Sequence, residues 1–509
     1  MSSFRLRSLH LSGLVFYLAF LVSGAWSVED RLPRYTVRAR IDPASHQLHA
    51  EVRIANPPSR RFYLHQGLSI RAVSTGRDRL HFREDPAAPG LPYSPAARAI
   101  VTGAPAGRTL QIVYDGAIEG WVSGVNGINA ELIELALYSA WYPLFEGVHR
   151  FNFALEIELP EAFTLIANGR PDRSLKLRDG RLRHRWTSRR PGFDIAVVAS
   201  PLLACHGEVK RGVTVCAHKF PPADITARRS ALQEALEGLS RRFGAPRTEP
   251  GVRVVYSPRG GWGYARAPLI VLSEQRALAM LSSKPGSETE FHDLVHELAH
   301  FFWSIADPAT PQDWINEALA EYSAYCVSST QFGPDFAGRR LANYREQASR
   351  NRTSQSIAET PGDSPDREIN RYNKAPLMLL EAERRFGRAA LDRLLRDLHL
   401  RFAGTRRATT AVFLNLAAKH MGAHAAEFFS DELYRRPEPP DSAAGVAPAA
   451  EPVHGASHIA SPQVLVEEID GALPGQLGRR FVVARRRVVV KSVVRPLVEV
   501  RGVWDLGRL

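Results

Sequence analysis

His296-Glu297-Leu298-Ala299-His300 is the stretch whose reading decides what the chain folds into. Two histidines four residues apart project from one helical face, so both imidazoles can reach a single metal ion. Glu297 stands beside them, where a carboxylate can take a proton from water polarised by that ion. The surroundings are helical: Phe291, Leu294, Val295 and Leu298 make an apolar stripe, and Ser287-Glu288-Thr289-Glu290 has the form of a capping box. A helix over 289–304 is predicted. Among 17 histidines such a pentad arises by chance on the order of a few per cent of the time, so the pattern needs support from elsewhere.

A second helix provides it. Thr310-Pro311-Gln312-Asp313 reads as a capped start with proline at the first helical position. It leads into Trp314-Ile315-Asn316-Glu317-Ala318-Leu319-Ala320-Glu321-Tyr322, with a helix predicted over 313–328. Two antiparallel helices joined by a loop bring Glu317 back over the histidines as a third ligand. Three protein ligands and an open fourth position describe a catalytic rather than a structural zinc site. Glu321, one turn on, either holds a ligand histidine from behind or is a plain solvated glutamate.

Working outward, helical periodicity also covers 231–243, 372–386, 389–402 and 410–433, with short strands at 252–256 and 269–272. Upstream the period changes to two. Tyr35, Val37, Ala39 and Ile41 alternate with polar residues, then Leu48, Ala50, Val52 and Ile54 do so after a turn, which predicts a hairpin with one buried face. Phe151, Phe153, Leu155, Ile157 and Leu159 repeat the pattern. Cys205 and Cys216 flank a turn-like segment; they either pair across a hairpin in an oxidising compartment or remain separate thiols. Cys326 reads as a small core residue.

Residues 1–27 have the form of an export signal, with Arg5 and Arg7 ahead of the apolar run Leu9 to Val22. That run is shorter than the roughly 20 residues needed to span a bilayer. The expected mature protein is exported, periplasmic or extracellular, with no stable membrane span. The predicted order is a signal at 1–27, a β domain at 28–220, a zinc-bearing helical domain at 221–435, a Pro/Ala-rich linker at 436–462 and a basic, β-prone segment at 463–509. This is an α+β multidomain chain.

Composition agrees. The 509 residues are 44% hydrophobic and 23% charged, which excludes a polytopic membrane protein and a largely disordered chain. Three cysteines cannot staple a fold of this size. The net charge of +13 comes from a chain in which all but seven of the 66 Lys+Arg are arginine. No nucleic-acid motif accompanies it, so it reads as arginine spread over the surface, with no nucleic-acid partner.

The pentad and W-I-N-E-A-L-A-E-Y together resemble the membrane alanyl aminopeptidase family of gluzincin metallopeptidases. That family shows H-E-x-x-H and, 19 positions later, a glutamate inside W-L-N-E-G-F-A-x-Y; here Glu317 falls 17 after His300, so the connecting loop is two residues shorter. Arg371-Tyr372-Asn373-Lys374-Ala375-Pro376-Leu377 resembles the family's Y-x-K-G-A. The likeness extends over roughly residues 30–435 and is weak in the β region, apart from Ala140-Trp141-Tyr142-Pro143. It implies an N-terminal β-sheet domain followed by a thermolysin-like, mostly helical zinc-peptidase domain. It also implies one zinc ion, a peptide or protein substrate, and a hydrogen bond from Tyr372 to the oxyanion.

One departure bears on specificity. The family's G-A-M-E-N glutamate, which binds the substrate's free amine, is replaced: in Gly263-Tyr264-Ala265-Arg266-Ala267 an arginine stands in its place. The chain thus resembles a divergent, bacterial-type member lacking that motif. Arg266, with Tyr264 beside it, is expected to meet a substrate carboxylate, or the site to accept peptides internally. Glu134, nine residues before Pro143 as in the family, is either an amine-binding acid or a charge on an exposed strand. The alternatives are a conventional aminopeptidase using Glu134, a catalytically silent peptidase-fold binding protein, and a hydrolase for a non-peptide substrate.

Overall fold

A computed structural model describes residues 32–436 apart from 92, 104–107, 120–125, 148, 210–211, 262 and 351–353. The signal at 1–27 and everything from 437 onward, including the 463–509 segment, lie outside the described residues. No described helix is long and apolar enough to cross a membrane.

The predicted hairpin forms from Arg34–Asp42 and Gln47–Ala55, antiparallel, with Val37 opposite Val52 and Ile41 opposite Leu48. The alternating residues Tyr35, Val37, Ala39 and Ile41 are all buried, as a strand with one wet face requires. Asn152–Pro160 joins the other side of the first strand in parallel, within a nine-stranded sheet. A three-stranded sheet and a four-stranded sheet complete this β region. The four-stranded sheet includes Ile133–Leu135, which carries Glu134.

A five-stranded sheet opens the second half and straddles residue 220: Ala204–His206 and Val213–Ala217 pair in one sheet with Val252–Ser257, Leu269–Ser273 and Tyr264–Arg266. Val252–Ser257 and Leu269–Ser273 are buried throughout, as central strands covered on both faces. Cys205 sits opposite Cys216 on neighbouring antiparallel strands, and the two are joined as a disulfide. Between this sheet and the four-stranded one lies a small apolar cluster that includes Ile166 and Val198 from one and Val255, Leu269 and Val271 from the other. That seam sets the β region against the residues in front of the histidine helix.

The helices depart from expectation in informative ways. The histidine helix runs Lys284–Trp303, starting earlier than predicted, and its cap is Ser283, whose side chain accepts from Gly286 N. The expected capping box is not used. Glu290 instead accepts from the Tyr256 hydroxyl at 2.6 Å and Arg228 at 3.1 Å. Gly286 is needed there: a Cβ would lie 2.0 Å from the Met280 carbonyl oxygen. The single helix expected over 410–433 is two, Thr410–Met421 and Ala423–Tyr434, broken at Gly422 with φ +95°. Two longer helices were not foreseen, Glu274–Met280 and Pro334–Arg350, nor was the single turn Arg367–Ile369.

Candidate metal centre

The glutamate helix, Trp314–Phe332, packs against the histidine helix over most of its length. Asn316 sets the return between them. Its Oδ1 accepts from Ile305 N and Ala306 N, both at 2.9 Å, while its Nδ2 donates to Ala306 O at 3.0 Å and Asp313 Oδ1 at 2.7 Å. Asp313 is in turn held by Arg371 at 2.7 Å. Thr310 caps the short turn Pro311–Asp313 with proline in its first positions, as predicted. Trp303 Nε1 also donates to Ser323 at 2.8 Å, pinning the two helices further along.

This brings three side chains to one point. His296 Nε2 and His300 Nε2 each lie 3.4 Å from Glu317 Oε2. One ligand atom from each of the three lies within 4.8 Å of the others, and among the described residues no other such group of histidine, cysteine or carboxylate side chains converges. Tetrahedral zinc with bonds of about 2.1 Å separates neighbouring ligand atoms by roughly 3.4 Å. Glu317 Oε2 is buried and has no hydrogen-bond partner, which a metal ion would supply. The donor set fits zinc.

Glu321 is not the solvated glutamate that was one of its two readings, since its side chain is 4% exposed. Its Oε2 accepts from His296 Nδ1 at 2.8 Å. Its Oε1 faces His292 Nε2 at 2.9 Å and accepts from Arg340 Nη2 and the Tyr344 hydroxyl, both at 2.6 Å. Burial alone would raise its proton affinity, but His292, Arg340 and these hydrogen bonds hold the carboxylate well below its ordinary range. A fixed anion on Nδ1 keeps the proton there and leaves the Nε2 lone pair facing Glu317, free to donate to a metal.

Glu297 lies next to these ligands and under the edge strand Tyr264–Arg266, where a Cβ on Gly263 would stand 3.6 Å from its Oε1. Burial pushes its carboxyl above the ordinary value, with the nearby histidines opposing. That is the direction wanted in a group that takes a proton and gives it back. Tyr372 stacks on His296, ring centroids 5.7 Å apart. It sits in a π-helical turn, Asn370–Lys374, rather than in the α-helix expected from 372, which begins at Ala375. Burial and the Glu317 charge raise its hydroxyl well above the ordinary value, so it stays a neutral donor.

The residues expected to face substrate are placed differently. Glu134 is fully buried rather than on an exposed strand, and it accepts from Ser257 at 2.6 Å and from Arg259 at 2.8 and 2.7 Å. Arg266 is not a free cation: Asp194, itself fully enclosed, holds it at 2.7 Å. Its guanidinium lies over the rings of Tyr138 and Tyr264. Tyr264 is 4% exposed and belongs to the seam between the sheets. Sequence reasoning missed His292, Asp194, Arg259, Arg340 and Tyr344. Only His292 carried a signal, one further helical turn before His296 on the same face.

No protein-family model and no curated protein sequence matches the chain. Solved structures do. The M1 zinc metallopeptidase of Deinococcus radiodurans is similar with a TM-score of 0.63 and 19% identity, covering 83% of this chain and 98% of that one. A mutant of that protein bound to a Tyr-Ser-Ala substrate gives 0.63 and 18%, over 81% and 95%. Native yeast LTA4 hydrolase gives 0.61 and 13%, over 80% of this chain and 68% of that one. At such identities the likeness is one of fold, a multi-sheet β region followed by a helical region.

Proposed function

We propose that the chain is an exported, zinc-dependent peptidase of the aminopeptidase-like gluzincin type, with altered recognition of the substrate's amino terminus. The observation that carries this is the convergence of His296 Nε2, His300 Nε2 and Glu317 Oε2 beside Glu297. Those three side chains would hold one zinc ion, whose charge acidifies water and polarises a carbonyl when it is bound. Glu297 takes the proton of the attacking water and returns it to the leaving amine. Tyr372 donates a hydrogen bond to the developing oxyanion. The substrate-bound neighbour supports a peptide as the substrate class.

Anchoring a substrate ammonium group takes a free carboxylate, and neither Glu134 nor Asp194 is free. Glu134 is taken by Arg259 and Ser257, and Asp194 by Arg266. This favours peptides over free amino-terminal ends, and weighs against a conventional aminopeptidase built on Glu134. The Cys205–Cys216 bridge supports an oxidising compartment, periplasmic or extracellular.

The test is cleavage of a mixed peptide library by the full chain, with and without chelator, read by mass spectrometry. Cleavage should need stoichiometric zinc. N-blocked peptides should be cut at least as fast as aminoacyl-amides; rapid release of single amino-terminal residues would refute the altered recognition. Glu297→Gln should retain zinc and lose about 10²–10⁴ in rate. A silent wild-type protein with full zinc would point to a binding role.

A further inference from the structure

Among the described residues Arg406 makes no ion pair, although it lies within electrostatic reach of Arg266 and Asp313. It occupies the turn 403–409 between Arg388–Phe402 and Thr410–Met421, at a left-handed φ of 55°. The turn is tied to the residues just after the histidine helix. Ala408 N donates to Ile305 O at 2.9 Å, and Ala306 bridges Ala408. From there the Arg406 guanidinium reaches across to the β region, its carbon 3.5 Å from the centroid of the Phe193 ring. The residue next to Phe193 is Asp194, whose charge is matched by Arg266 at 2.7 Å.

Arg406 itself has no such match. Its Nη1 is buried without a hydrogen-bond partner, and it makes no ion pair among the described residues. Burial and repulsion from Arg266 push its guanidinium down to about 9, against a partial pull from Asp307, Asp313 and Asp194. Arg266 also acts electrostatically on Glu297, so one side chain relates the free cation to the base. An unmatched guanidinium held in place by the fold is costly unless something pairs with it. Its planar fork suits a carboxylate.

We propose that Arg406 is a substrate-recognition residue that binds a carboxylate of the peptide. The sequence points to Arg266 for this role, but Asp194 already holds that cation; the unpaired one is Arg406. This rests on peptides being the substrate. The carboxylate comes either from the peptide's carboxyl terminus or from an acidic side chain.

The experiment uses the zinc-loaded full chain, its Arg406→Gln and Arg406→Lys variants, and one peptide in three forms: free acid, carboxyl-terminal amide, and an amide with glutamate near its end. Turnover is measured on each, and binding is measured by calorimetry in a Glu297→Gln background. The wild type should favour the acid over the amide by about tenfold or more, the difference appearing in KM. Arg406→Gln should bring that ratio to about one, while Arg406→Lys, which keeps the charge without the fork, should retain part of it. Rescue of the amide by glutamate assigns the carboxylate to a side chain; failure to rescue assigns it to the terminus. Equal acid and amide values in wild type and Arg406→Gln, with the peptide being cleaved, overturn the proposal. An acid preference in binding that depends on Arg406, without any cleavage, upholds it and refutes peptide hydrolysis instead.

Discussion

Glu321 shows how much one carboxylate organises. It lies one helical turn beyond Glu317, and the two alternate with three histidines spaced a turn apart, His292, His296 and His300. Glu321 therefore bridges His292 and His296, while Glu317 bridges His296 and His300. Buried between helices, the Glu321 charge survives only because Arg340, Tyr344 and both imidazoles saturate it. Removing one donor should loosen the orientation of His296 and weaken the metal. Tyr344→Phe is expected to lower zinc affinity by about tenfold and Arg340→Ala by up to about a hundredfold. Competition with a chromogenic chelator measures both, and unchanged affinity in both variants would separate Glu321 from the metal site.

Elements decide whether those residues meet at all. The loop between the two helices that carry His296, His300 and Glu317 is two residues shorter than the resembled pattern, and Asn316 holds the return by satisfying the backbone of 305 and 306. Asn316→Ala would leave two buried N–H groups unpaired, at a cost of about 2–4 kcal/mol. Urea unfolding with and without zinc measures it; a loss below 1 kcal/mol would mean that packing alone holds the turn. Helix Pro334–Arg350 delivers Arg340 and Tyr344. Its mostly polar, arginine-rich sequence hid it, since the inward face mixes Phe336 and Tyr344 with the charge of Arg340. The Tyr372 turn escaped for another reason. A π turn uses the same residues as an α-helix, and only the packed structure shows the extra residue that re-aims a side chain.

At the scale of the whole molecule, Glu134 and Arg259 join the four-stranded sheet of the β region to the five-stranded sheet beside the metal. The pair is almost entirely buried, with side chains 0% and 6% exposed. Arg259→Ala leaves a lone carboxylate in the seam and should cost about 3–5 kcal/mol, while the double replacement with Glu134→Ala should cost less than the sum of the two singles. Additive costs would show that the pair does not couple the sheets. The sequence by itself determined which side chains converge, His296, His300 and Glu317, along with the capped turn before Glu317 and the two-part order of strands and helices. Those depend on periodicities and spacings a few residues long, which a chain carries locally. Only the tertiary structure decided which charges are free. Glu134 and Arg266 read as substrate-facing from sequence, yet their partners Arg259 and Asp194 lie 125 and 72 residues away. Whether a buried charge is matched depends on contacts across sheets, which no local pattern encodes: Asp194 matches Arg266, while Arg406 makes no ion pair among the described residues.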